Sequence, residues 1–137
     1  MRNLIEDKDL LLKDLSARLP YGVKVQIDLQ SNIYPPITCK VCNIEFTETE
    51  GSFIGVETSP DTYNEFREFL CKPYLFPLSS MTEEQKEEHK DLLDNQYSFD
   101  ANGNIFTLQD FYCKYHLDYR GLIPNGLAND ATGLNIY

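Results

Sequence analysis

Residues 72–90, KPYLFPLSSMTEEQKEEHK, divide this chain. The sequence before them alternates as strands do, and the sequence after them repeats as helices and tight turns do. Pro73 and Pro77 bracket Tyr74-Leu75-Phe76 and hold the residue before each proline in extended backbone. Thr82-Glu83-Glu84-Gln85 fits a capping box, in which the Thr82 hydroxyl accepts from the Gln85 amide and the Gln85 side chain reaches back to the Thr82 amide. The helix started there runs to about residue 94. It exposes Glu83, Glu84, Glu87, Glu88 and Lys90 and keeps few apolar contacts beyond Leu92 and Leu93. Residues 72–80 therefore read as a joint between a sheet and a helical part, with Tyr74 and Phe76 as exposed aromatics beside an acidic helix.

Upstream of the joint, Tyr63, Phe66 and Leu70 fall on one face of a short helix over residues 60–71, with Ser59 as its cap and Pro60 at its first position; a strand over residues 66–72 competes with it. Residues 52–58, 37–46 and 21–29 read as three strands of a meander. In YGVKVQIDL, Val23, Val25, Ile27 and Leu29 alternate with polar residues, the pattern of a sheet with one wet face. In ITCKVCNIEF the apolar set changes phase after Val41, which a bulge near Val41-Cys42 or burial on both faces would produce. Glu48-Thr49-Glu50-Gly51 is a turn. Residues 3–18 carry Leu4, Leu11, Leu12 and Leu15 near the helical period and stop at Pro20 and Gly22. That helix should pack on the sheet.

Downstream, Asn102-Gly103 between YSFDA and NIF signals a two-residue hairpin turn of type I′. Thr107 caps a last helix carrying Leu108, Phe111, Tyr112 and Tyr115, and Gly121, Pro124 and Gly126 break the chain beyond it into turns. Residues 129–137 form a polar tail expected to be partly loose. The whole reads as a single domain over 1–137: N-terminal helix 1–20, β-meander 21–58, connector and charged helix 59–95, hairpin and C-terminal helix 96–128, tail 129–137.

The chain has 22 acids against 12 Lys and Arg, a formal charge of −10. A duplex binder neutralises phosphates with cations, so nucleic acid is disfavoured as a partner. Residues 83–100 alone hold seven acids and two bases, net −5. Such a stretch either solubilises the protein or docks on a basic partner. No apolar run is long enough to span a membrane, and the start turns acidic without a signal-peptide core, so the expected compartment is the cytoplasm. Cys39, Cys42, Cys71 and Cys113 are then expected as reduced thiols.

Each constellation that resembles a reactive site has a plainer explanation. Cys39-Lys40-Val41-Cys42 is a single Cys-x-x-Cys in a strand, with no second knuckle for zinc and no helix N-terminus to activate a redox thiol. Asp100-Ala101-Asn102-Gly103-Asn104 opens like a calcium loop but puts Ile105 and Phe111 where glycine and a bidentate glutamate belong. Cys113 and His116 lie one turn apart without an orienting acid, and His89 lies on a charged helix. Arg120, in DYRGLI, is a weak anion-site candidate that would otherwise pair with Asp118 and stack on Tyr119. No catalytic, cofactor-binding or metal residue is assigned, and no cofactor is expected.

The strings LPYGVKVQI, KPYLFPLSSMTEEQK and DYRGLIPNGLA, in that order, resemble a family of small uncharacterised proteins of gut Bacteroidales genomes, prophages and phages. The resemblance implies a phage or mobile-element setting, and it brings no functional residue with it. Relatives in that family usually carry arginine where Phe76 stands and end soon after the Gly-Leu-Ala, so residues 129–137 depart from the pattern. The resulting expectation is an α+β fold with a small antiparallel, barrel-like sheet, SH3-like if it closes, flanked by helices. The expected function is non-enzymatic binding of an unknown protein partner through Tyr74, Phe76, Glu83, Glu84, Glu87 and Glu88. A nucleic-acid-associated SH3-like module and an undetected enzyme are the alternatives.

Overall fold

Leu11, Leu12 and Leu15 share one side of the first helix, and that side lies buried against a sheet whose inward residues are mostly β-branched. The computed structural model describes residues 4–47, 51–59 and 62–137, without the side chains of Leu4, Ile5 and Ser59; the expected turn at residues 48–50, the helix-start pair Pro60-Asp61 and Asn3 lie outside the described residues. In chain order the elements are α1 (Leu4–Arg18), β1 (Lys24–Ile27), β2 (Ile37–Phe46), β3 (Ser52–Ser59), β4 (Thr62–Arg67), β5 (Cys71–Leu75), α2 (Glu83–Asn95), β6 (Tyr97–Phe99), β7 (Ile105–Thr107), α3 (Leu108–Lys114) and β8 (Asn129–Asp130). This is an α+β fold.

Six strands form one sheet in the order β4-β3-β2-β1-β5-β8, and β6 and β7 form a separate hairpin. The pairs are antiparallel except β5 with β8, which is parallel. The expected barrel does not close. Closure would require β4 to meet β8, and β8 offers two residues for pairing.

Val23, Val25, Ile27, Cys39, Val41, Ile54, Val56 and Cys71 turn toward α1. Burying a Val, Leu or Ile side chain completely contributes about 1.5–3 kcal/mol, so this layer is a principal source of stability. The register of β2 against β3 shifts between Val41 and Asn43, the bulge that was one of two explanations for the change of phase, and Cys42 is exposed. Gly55 sits opposite Asn43, and a Cβ there would strike the Asn43 carboxamide and the Tyr63 hydroxyl, which bond to each other across it at 2.8 Å.

Two expected elements are corrected. Residues 62–67 are not helix: Tyr63 pairs with Glu57 and Phe66 with Ile54 along the open edge of β3. The spacing of Tyr63, Phe66 and Leu70 suits a helix, but the unpaired groups of β3 decide in favour of a strand. Residues 71–75 are not a joint either. They form β5, inside the sheet beside β1. Pro73 faces Val25, while the Asp28 amide bonds to the Leu70 carbonyl three residues away. Antiparallel ladder bonds come at every second residue, so the proline falls at a position where β1 needs no donor.

The tail is also corrected. Asn129 and Asp130 extend the sheet, the Ala131 amide bonds to the Leu75 carbonyl at 2.8 Å, and Ala131 is buried. Among the described residues two further apolar clusters are buried: Leu75, Leu122 and Ala128 beside β5, and Leu92, Phe111 and Leu117 between α2 and α3.

Candidate functional site

The capping box at the start of α2 forms as the sequence requires, with Gln85 N–H donating to Thr82 Oγ1 at 3.1 Å and Thr82 N–H to Gln85 Oε1 at 3.0 Å. Leu92 anchors the helix, and Glu83, Glu84 and Glu87 stand in solvent. Glu83 pairs loosely with Lys86, whereas Glu88 is half-buried and accepts from the Tyr115 hydroxyl at 2.9 Å. Glu88 therefore belongs to the packing between α2 and α3.

Tyr74 and Phe76 are not exposed, contrary to the expected partner-binding surface. Tyr74 keeps 7 % of its surface, and Phe76 packs among Leu92, Phe111 and Leu117. Main-chain bonds lock Phe76 in place: its amide donates to the His116 carbonyl, and the Asp118 amide donates to its own carbonyl, each at 2.8 Å. Continuation of the sheet through Phe76 withdraws these rings from the surface.

The hairpin after α2 presents the aromatic surface instead. Its loop closes differently from the expected type I′ turn. Asp100 Oδ1 accepts the amides of Asn102 and Asn104 at 2.9 Å, and Gly103 alone in the loop takes a positive φ, 80°. A type I′ turn needs positive φ at both central residues, and Asn102 does not have it. Phe99 pairs with Ile105 and Tyr97 with Thr107, so Tyr97, Phe99 and Ile105 share one face, while Phe106 turns inward to the Leu92 cluster. Tyr97, Phe99 and Ile105 are 49, 65 and 63 % exposed, and Leu93 on the last turn of α2 is 56 % exposed. Tyr97 and Phe99 meet edge to face, 5.7 Å between centroids. Alternation in YSF and IFT was the signal for this face in the sequence.

Arg120 is committed internally. Its guanidinium lies 3.3 Å from Asp14 and 4.7 Å over the Tyr119 ring, and Asp118 instead accepts the Leu122 and Ile123 amides. Asp14 also takes a 2.7 Å bond from Arg18 Nε, and Arg18 Nη2 donates to the Leu117 carbonyl at 2.5 Å. Asp14 and Arg18 are fully buried. Burial pushes the Asp14 carboxyl up, and Arg18 and Arg120 pull against it. The network fastens α1 to the C-terminal part of the chain.

Compared with protein-family models, with curated proteins and with solved structures, the chain finds no match.

Cys39 and Cys71 lie near each other in the buried layer under α1, and the His116 amide donates to the Cys113 carbonyl at the end of α3. Cys39, Cys71 and Cys113 are buried and Cys42 is exposed, so the Cys-x-x-Cys thiols sit on opposite faces of the sheet. Burial raises the Cys39 and Cys113 thiols and, with Glu68 nearby, pushes Cys71 up to about 12. His89 stacks on Phe111 and hydrogen-bonds the Tyr112 hydroxyl at 2.8 Å. Among the described residues, no three His, Cys, Asp or Glu side chains are placed to hold a metal ion, and no helix is long and apolar enough to cross a membrane.

His116 faces a second feature, a cleft of about 510 Å³ between the start of α2 and the end of the chain. Its ring stacks on Tyr137 with centroids 3.6 Å apart. The Tyr137 hydroxyl accepts from the Lys24 amide at 2.9 Å and donates to the Tyr74 carbonyl at 2.8 Å, standing between β1 and β5 where their ladder would otherwise continue. Burial, then Arg18 and Lys24, push the His116 pKa down to about 4, so the ring is neutral at pH 7.

Proposed function

We propose that this chain is a non-enzymatic binding protein that docks a basic partner protein through the outward face of its hairpin. The observation that carries this reading is the shared exposure of Tyr97, Phe99 and Ile105, with Leu93 on the adjoining turn of α2. Aromatic and aliphatic side chains of this size supply the anchors of protein interfaces, and an exposed cluster of them leaves apolar area in water. The setting supplies the complementarity. The cluster is contained in residues 83–105, and residues 83–100 carry a net −5, half the formal charge of the chain. A partner with Lys and Arg around apolar side chains would be steered to this face and held there. A second copy is the poorer occupant, since pairing would bring two such acidic segments together. The reading includes a cytoplasmic, phage- or mobile-element-linked role, in keeping with the sequence resemblance.

The test compares wild-type protein with the double variant Phe99→Ser/Ile105→Ser as baits in extract of the native host, at low salt on the order of 50 mM. Both residues are exposed, so the variant should keep its melting temperature. A partner retained by wild type and lost by the variant is then purified and titrated by calorimetry. The reading expects a basic contact face and an affinity that weakens about tenfold as salt rises above physiological strength. It is overturned if no protein distinguishes the two baits, or if the one that does binds independently of salt.

A further inference from the structure

We propose that the cleft lined by Lys114, His116, Phe76, Tyr115 and Tyr137 is a binding site for a small planar carboxylate. Its volume of about 510 Å³ lies within the roughly 300–1,000 Å³ of small-molecule sites. It lies between the start of α2 and the end of the chain, and the exposed hairpin residues are not part of its lining.

Charge points to the ligand's sign. The chain as a whole has 22 acids to 12 bases, yet the cleft is lined by Lys114 and by no Asp or Glu side chain. The Lys114 ammonium rests over the rings of Phe106 and Tyr115, 5.7 and 5.1 Å from their centroids, and the hydroxyl of that same Tyr115 donates to Glu88 at 2.9 Å; among the described residues Lys114 makes no direct ion pair with a carboxylate. Lys114 is the charged side chain of the lining, so an anion entering the cleft meets a cation there. The aromatic lining favours an organic anion with a ring over a fully hydrated one such as phosphate.

Shape points to a flat body. The stacked pair of His116 and Tyr137 forms one rigid wall, with Phe76 6.1 Å from Tyr137 and Tyr115 nearby in the lining. Planar groups stack favourably on such walls, offset or edge-on. His116 adds a directional contact. Its ring lines the cleft, and its Nδ1 is buried without a partner. A neutral imidazole carries one N–H, which is a donor for a carboxylate oxygen. The backbone at His116 is left-handed, φ 56°, and is held so by the main-chain bonds from Phe76 and to Cys113. Strained positions of this kind gather at ligand sites.

Benzoate and its neutral isostere benzamide are the probes, followed on the full chain by the His116 side-chain NMR signals. Benzoate should shift them saturably with a millimolar Kd, the range expected of so small a ligand. Benzamide should bind about tenfold more weakly, and inorganic phosphate should not compete at equal concentration. Lys114→Gln, an exposed position, should weaken benzoate about tenfold and leave benzamide unchanged; Lys90→Gln on the outer side of α2 should do neither. The proposal fails if His116 does not respond to benzoate at about 20 mM, if benzamide binds as well, or if Lys114→Gln binds benzoate like wild type.

Discussion

Removing one oxygen from Tyr137 tests how the sheet is completed. In Tyr137→Phe the ring keeps its stack on His116 and its contact with Phe76, so the change isolates the hydroxyl. That hydroxyl satisfies the Lys24 N–H at 2.9 Å and the Tyr74 C=O at 2.8 Å, two main-chain groups of adjacent strands held too far apart to bond each other. An unsatisfied buried polar group costs about 1–3 kcal/mol. The Lys24 end is open to water and contributes little, whereas the Tyr74 end is partly buried, so the expected loss is about 2 kcal/mol. With an unfolding entropy of about 2.1 cal/mol/K per residue, 137 residues give about 0.29 kcal/mol/K, and the melting temperature should fall by about 7 °C. Thermal unfolding followed by circular dichroism at neutral pH measures this directly. Tyr137→Leu, which also removes the ring stack, should fall further. A drop of less than about 2 °C for Tyr137→Phe would refute the account, because water would then replace the hydroxyl at no cost.

His116 makes stability depend on mild acid. Its folded pKa of about 4 lies below the unfolded value of 6.5, so the unfolded chain takes up the proton first, and stability is complete above pH 6.5 and declines as pH falls toward 4. At about 1.36 kcal/mol per unit the full effect is about 3 kcal/mol, and solvent at the half-open ring reduces it to about 1–2; urea unfolding at pH 7 and 4.5 reads it, and His116→Asn, which tolerates the left-handed backbone, should flatten that part of the profile. Asp14→Ala leaves Arg18 charged and buried without its carboxylate and should cost about 3–5 kcal/mol in urea unfolding, while a loss under 1 kcal/mol would show the pair to be dispensable. Under native conditions a thiol reagent should modify Cys42 rapidly and Cys39, Cys71 and Cys113 slowly, and a second fast thiol would contradict their burial.

The parts of the fold that were legible in the sequence depend on short-range chemistry. The leucines of α1, the alternation of β1, the change of phase in β2, the capping box at Thr82 and the cap at Thr107 all rest on neighbours within a few residues. The parts that were hidden depend on partners far along the chain. Tyr63, Phe66 and Leu70 carry a helical spacing, and only the open edge of β3 makes a strand of residues 62–67. Pro73 argues against an interior strand until the register shows it opposite a residue that requires no donor. The tail looks too polar to order, yet its strand, Ala131 and Tyr137 all find places prepared by β5 and β1. The candidate surface shifted for the same reason. Glu83, Glu84 and Glu87 stayed outside, but Tyr74 and Phe76 were drawn inward by a strand that the prolines had disguised, and the exposed rings proved to be those of the hairpin.

The bond between Lys24 and Tyr137 spans 113 positions of sequence, and the one between Arg18 and Leu117 spans 99. Contacts of that span contribute only after the intervening chain has lost much of its freedom, so they belong to the late side of the folding barrier. Interactions absent from the transition state govern how fast a protein comes apart rather than how fast it assembles. The aromatic residue wedged between β1 and β5 is therefore a latch on lifetime: without it the chain should find its structure at nearly the same speed and lose it sooner.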